Sequence, residues 1–243
     1  LAWGGSRSMD GGGTDVTWTF DPTSKVWANQ QPSGSVPRAS YDHTLVYDPA
    51  SKTAFLKKTQ GFFAYDTVAN KWSSIANFGL APYWPRYAAG SPRGTIDTKR
   101  QLLWVLGGRL YMVYDILNKK FVTDEWITTG GGTFTNAQDG SLSQFPDQHI
   151  VTGGGDVIVP AAPALDYDSK ADSLVAWVGG GPYVLNFDSK TWIAKSSQGA
   201  PEKPLTHGTF GRFRYIKKYN VFILINGSKD VYFYKHTAGG EVP

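Results

Sequence analysis

The sequence predicts an all-β fold, a β-propeller of four-stranded antiparallel blades, and three observations carry that prediction. The first is recurrence. An aromatic residue and an Asp close one strand, a short polar turn follows, and an aromatic opens the next. The copies run from Phe20-Asp21 to Trp27, Tyr65-Asp66 to Trp72, Tyr114-Asp115 to Phe121 and Phe187-Asp188 to Trp192, with a degenerate fifth at Tyr234-Lys235. Their leading aromatics lie about 45, 49, 73 and 47 residues apart, the spacing of propeller repeats with one insertion. The second is an apolar run ahead of each later copy: Ala54-Phe55-Leu56, Leu102 to Leu106, Leu174 to Val178 and Val221 to Ile225. Runs of this kind suit strands covered on both faces. The third is composition, since 9 Trp, 13 Tyr and 13 Phe beside 18% charged residues fit a strand-rich chain.

Taken in order, Leu1 to Gly5 reads as the second strand of a blade, Val16 to Asp21 as the third and Lys25 to Ala28 as the fourth. In later repeats the first strand ends in Asp and a turn, as in Leu45 to Asp48, Thr95 to Asp97 and Ala164 to Asp168. Such an Asp is placed to accept hydrogen bonds from the turn backbone. One domain is expected, with blades at about 1–35, 36–78, 79–126, 156–199 and 200–237. An insertion over 127–155, rich in Gly, Thr, Asn, Gln and Ser, is expected to carry a short strand at Gln148 to Thr152. Trp27, Trp72 and Trp192 should wedge between blades. The first and last blades each lack one strand, and open edges invite pairing. The expectation is therefore a longer secreted parent chain, with six or more blades, or one terminus completing the other's blade.

Gly pairs follow the apolar strand in three repeats, at Gly4-Gly5, Gly107-Gly108 and Gly179-Gly180. A Gly pair, then aromatic-Asp, then Trp some residues on, resembles the kelch repeat over nearly the whole chain. Lys57-Lys58 departs from it in the second repeat, as does Asn226-Gly227 in the last. The resemblance implies a β-propeller and names no ligand. A copper-radical oxidase of the galactose-oxidase kind, a kelch-like relative, needs a Tyr-Cys crosslink, and this chain has no Cys.

The absence of Cys also excludes disulfides, thiolate metal sites and cysteine nucleophiles. The net charge is +4. The pairs Lys57-Lys58, Lys119-Lys120 and Lys217-Lys218 read as edge protection at hairpin turns, and no basic run with interleaved aromatics points to nucleic acid. No apolar stretch reaches the about 18 residues of a membrane span. Neither a phosphate loop, a dinucleotide fingerprint, a serine elbow nor a zinc helix motif appears, so no cofactor or metal is expected. The paired acids Asp124-Glu125 and Asp166/Asp168 read as solvated hairpin ends, and Asn226-Gly227-Ser228 as a turn.

Chemistry concentrates in the segments entering each blade's first strand, which a propeller gathers on one face near its axis. These hold Arg38, Tyr41, Asp42 and His43; Tyr83, Trp84, Arg86 and Tyr87; Asp147 and His149; and His207, Arg212 and Arg214. Arg38, Tyr41, His43, Trp84, Arg86, Tyr87, His149, His207 and Arg212 are the candidate ligand-binding residues. Arginine grips a carboxylate or sulfate at two points, and aromatic faces stack on sugar rings. The competing reading is that Arg38 and Arg86, both after Pro, hydrogen-bond neighbouring backbone. The function predicted is extracellular recognition of a carbohydrate or a protein. One alternative is β-elimination on uronate polysaccharide, for which the inventory resembles that of propeller-built lyases. His149, His207, Tyr87 and Arg86 would then be the catalytic candidates. Another alternative is a structural subunit of a surface assembly.

Overall fold

The computed structural model describes residues 1–4, 13–40, 43–58, 61–77, 92–108, 110–126, 128–130, 155–158, 162–206, 208–227 and 230–239. The expected strand at Gln148 to Thr152 lies outside them. The chain forms two compact units, Leu1–Pro82 and Tyr83–Pro243. Five sheets follow one another as propeller blades, two in the first unit and three in the second.

In the first unit, β1 (Ala2–Trp3), β2 (Thr17–Asp21) and β3 (Val26–Asn29) form one sheet. The second sheet contains β4 (Ser33–Gly34), β5 (His43–Asp48), β6 (Thr53–Lys58), β7 (Gly61–Asp66) and β8 (Lys71–Asn77), in the order β4-β8-β7-β6-β5. In the second unit, β9 (Arg93–Asp97), β10 (Leu102–Gly107), β11 (Leu110–Asp115) and β12 (Lys120–Phe121) make a four-stranded sheet, followed by a 3₁₀ turn at Thr123–Trp126. Next come β13 (Thr129–Gly130), the helical turn α1 (Gly155–Ile158), β14 (Ala164–Asp168), β15 (Ser173–Trp177), β16 (Tyr183–Asn186) and β17 (Thr191–Ala194). The last sheet is β18 (Phe213–Ile216), β19 (Val221–Ile225) and β20 (Val231–Tyr234).

The blades hold three to five strands, not four throughout. The extra strands β4 and β13 run parallel to β8 and β17, with Gly34 beside Trp72 and Gly130 beside Trp192. A Cβ at Gly34 would lie 2.2 Å from the Trp72 carbonyl oxygen, and one at Gly130 2.5 Å from that of Trp192. Both residues also have positive φ, so only glycine fits this approach.

The hairpins follow one plan. Asp48, Asp97 and Asp168 are buried and accept backbone N–H bonds from the turns that follow them. At the outer turns Asp21 accepts from the Ser24 hydroxyl and from Thr23 N, and Asp66 from Ala69 N and Val68 N, which draws both carboxyls below their ordinary pKa. Each four-residue turn ends in a positive-φ residue, among them Lys25, Asn70, Lys119 and Lys190. In the fourth blade the side chain that closes this turn is Asn186, whose Oδ1 accepts from Ser189 N. The repeat is therefore displaced by two residues from the Phe187-Asp188 alignment. Phe187 is instead buried beside Trp104 and Trp126, under the Arg100 guanidinium at 4.0 Å.

Packing between blades bears out two of the three tryptophan wedges. Trp72 is fully buried, donates to Thr17 Oγ1 at 3.0 Å and meets Trp3. Trp192 is buried in the core shared by the sheets of β10 and β15. Trp27, by contrast, is 53% exposed beside the exposed Phe20. Its face of β1–β3 has no described sheet of its own unit beyond it. For the same reason β19 is not covered on both faces. Phe222 and Leu224 pack on the β14–β17 sheet, while Ile225 is exposed.

Three sequence expectations about charged residues change. Lys57 is not at a turn: it lies inside β6, 1% exposed, and its ammonium donates to Lys58 O. Asp168 is buried. Asp166 is no solvated hairpin end either, because its carboxylate joins the first strands of three blades. It accepts from Thr95 Oγ1 of β9 at 2.7 Å and from Tyr215 N of β18 at 2.8 Å. A second tie joins Asp172 to Arg100, Lys99 and the Tyr167 hydroxyl, and the Arg100 guanidinium above all holds the Asp172 carboxyl far below the usual range. No helix of the described residues is long and apolar enough to cross a membrane.

Candidate ligand-binding site

The site is built where first strands begin. In the second unit, Arg93 opens β9, and Arg212 immediately precedes β18. Their guanidinium carbons lie 4.7 and 5.8 Å from the centre of the Phe210 ring. Two cations therefore share one aromatic ring, an arrangement favourable by its quadrupole.

The backbone around Phe210 explains its position. Thr209 N and Phe210 N both point at Ala162 O, at 2.9 and 3.4 Å, and Arg212 N donates to Thr209 O. This tight loop puts Phe210 at φ 55° and Ala162 at φ 45°. A bulky residue held there stores roughly 1–3 kcal/mol of strain, which the loop's hydrogen bonds must offset. Arg212 Nη2 donates to Gly208 O at 2.8 Å, so one arm holds its own loop. Its Nε and the nearby Thr209 Oγ1 are buried with no hydrogen-bond partner among the described residues.

In the first unit, the entrance of β5 is built differently. His43 packs edge-on against Trp3 at 5.0 Å and stands opposite Lys58 in the β5–β6 ladder. Lys58 Nζ donates to Arg38 O, and burial, then the Arg38 charge, pulls the Lys58 pKa below its ordinary value. Arg38 itself is exposed. His43 and Arg38 thus share one strand entrance, where His43 has an evident packing role.

Tyr41, Trp84, Arg86, Tyr87, His149 and His207 lie outside the described residues, as do Asp42, Tyr83 and Asp147. Arg214 lies on β18, opposite Ile223. Arg93 and Phe210 were not singled out from sequence, although one signal was present. Pro92-Arg93 repeats the Pro-Arg pair of Pro37-Arg38 and Pro85-Arg86, and it is Pro92-Arg93 that directly enters β9.

With this geometry in view, the comparisons with known proteins bear on architecture. No protein-family model matches the chain, and no curated protein does. Solved structures do. The extracellular domain assigned to a one component system, BT4673, from B. thetaiotaomicron aligns over 92% of this chain with TM-score 0.51 and 10% identity. The likeness is one of fold. Hydrazine synthase of Kuenenia stuttgartiensis aligns over 84% of the chain with TM-score 0.46 and 11% identity. The chain spans about a quarter of the first protein (25%) and about half of the second (49%).

Proposed function

We propose that the chain is an extracellular, kelch-like propeller module that binds a carboxylate-bearing ligand, an acidic carbohydrate or an acidic protein segment, where its first strands begin. The observation that carries this reading is the pair Arg93 and Arg212 flanking Phe210. Two guanidiniums on one ring offer a bidentate grip for a carboxylate and an aromatic face for a sugar ring. The kelch-like assignment draws support from the Gly pairs 107–108 and 179–180, all four at positive φ. The extracellular assignment draws on the likeness to the BT4673 domain, which is extracellular.

The test is fluorescence anisotropy with labelled oligouronates and a neutral oligosaccharide of equal length. Saturable binding of the acidic probe, weakened at least about tenfold by Arg212→Gln and by Arg93→Gln, is expected from the loss of one charge-assisted contact. Equal binding of the neutral probe, or variants that bind like the parent, would remove the guanidinium pair from the site. Absorbance near 235 nm is followed in the same samples. A rise there would replace recognition by β-elimination.

A further inference from the structure

Three sheets meet where the guanidinium pair is built, and no ladder joins them. β9, β14 and β18 are each an edge strand of a different sheet, and β14 lies between the other two. Arg93 stands on β9 and Arg212 just before β18. The two cations thus belong to strands that do not pair with each other, yet both approach the Phe210 ring. Their interval is set by what stands between them.

What stands between is β14 and the residues leading into it. Ala162 O takes Thr209 N at 2.9 Å and Phe210 N at 3.4 Å, which seats the ring. Asp166 Oδ1 accepts from Thr95 Oγ1 at 2.7 Å and from Tyr167 N at 2.9 Å, and its Oδ2 accepts from Tyr215 N at 2.8 Å. Thr95 follows Arg93 by two residues on the same face of β9, about 7 Å along the strand, and Tyr215 follows Arg212 by three. One carboxylate therefore bonds within three residues of both cations. The opposite ends of these strands are pinned separately. Asp172 bonds Arg100 and Lys99 beyond β9, and beyond β14 Lys170 Nζ donates to Ala238 O at 2.9 Å while His236 faces Asp168 at 3.4 Å. With the turn ends held, cutting the Asp166 ties frees the end at which the arginines stand.

Resting on the binding reading above, we infer that Asp166 is a positioning residue for the site: it fixes the interval between the Arg93 and Arg212 guanidiniums so that one acid group bridges both. Asp166 does this without touching the ligand, since three donors already occupy its oxygens. A two-point grip works only when its members are held to within about 0.5 Å, and residues behind the contact supply that precision.

Thr95→Val removes the hydroxyl that bonds Asp166, keeps the β-branched shape and leaves both arginines and Phe210 as they are. Thr95 is 3% exposed, so the change is not made at a ligand surface. With a fluorescein-labelled galacturonic acid trimer as probe, binding at least about fivefold weaker is expected for Thr95→Val and at least about tenfold weaker for Asp166→Ala, with Asp166→Asn between them. Trp192→Ala is the control for lost stability, a core residue on β17, three strands from β14, and should bind within about twofold of the parent. Equal weakening by Trp192→Ala, or none by Thr95→Val and Asp166→Ala, overturns the inference. A second measurement needs no ligand. The chain has no Cys, so Arg93→Cys with Arg212→Cys takes two nitroxide labels and no others, and adding Thr95→Val should widen the distribution of distances between them. An unchanged distribution overturns the inference whether or not the trimer binds. A widened one, beside a parent that does not bind the trimer, fails the binding reading alone and upholds Asp166 as the gauge of the pair.

Discussion

Replacing Asp166 by alanine removes the acceptor that joins the first strands of three blades, β9, β14 and β18. Two bonds from other blades end on this carboxylate, from Thr95 Oγ1 at 2.7 Å and from Tyr215 N at 2.8 Å, and the adjacent Tyr167 N adds a third at 2.9 Å. Hydrogen bonds to a charged group contribute about 1.5–3 kcal/mol each, and an abandoned amide donor carries its own desolvation cost. Thr95 is 3% exposed, so water reaches its hydroxyl poorly. The expected loss is about 3–5 kcal/mol, which at roughly 2–4 °C per kcal/mol for a unit of this size lowers the melting temperature by about 6–20 °C. Asp166→Asn should lose less, about 1–3 kcal/mol, because whichever way its amide turns one of the Tyr215 and Tyr167 N–H donors faces the NH₂ while the other keeps its acceptor. Thermal and urea unfolding of the three proteins, with Val68→Ala at a 73% exposed site as control, measure this order. An alanine variant melting within about 2 °C of the control would refute the claim that Asp166 ties the strands.

Three further outcomes follow from the packing. Trp72→Ala and Trp192→Ala should each cost about 3–5 kcal/mol by urea denaturation, whereas Trp27→Ala, at a 53% exposed site, should change stability by no more than about 0.5 kcal/mol. Gly34→Ala should cost about 2 kcal/mol or more, since the new Cβ meets the Trp72 carbonyl at positive φ; a neutral result would show that β4 does not hold to β8. His236 stacks on Phe222 and faces Asp168 at 3.4 Å, and burial lowers its pKa despite the pull of Asp168. A depressed histidine contributes stability that is complete above its unfolded pKa of about 6.5 and is lost as pH falls through the lower folded value. Unfolding free energy should therefore drop between pH 7.5 and 5, and His236→Phe, which keeps a ring and loses the charge, should flatten that drop. The Asp172 contribution, whose folded pKa is depressed, is lost only in stronger acid, so the two windows separate.

Much of the architecture was legible because it repeats. The Asp-capped hairpins at Asp21, Asp48, Asp66, Asp97 and Asp168 are local: each carboxylate bonds N–H groups two or three residues on, so adjacent positions contain the information. The shift at Asn186 escaped detection because asparagine caps a turn as aspartate does, while the neighbouring Phe187-Asp188 imitates the motif. Lys57 reads as a surface residue by type; its burial depends on β6 lying inside a five-stranded sheet. At the candidate site Arg212 was foreseen from its place before a first strand. Its partners Arg93 and Phe210 were not, because their approach joins segments more than a hundred residues apart.

The sequence by itself determined the all-β class, the propeller blades and most strand positions, since periodic apolar runs, turn chemistry and repeat spacing act over a few neighbouring residues. Only the tertiary structure decided which of three equivalent tryptophans are core, that Asp166 is a junction, and which arginines share a ring. Burial and charge pairing depend on what stands across from a strand, and that partner comes from another part of the chain.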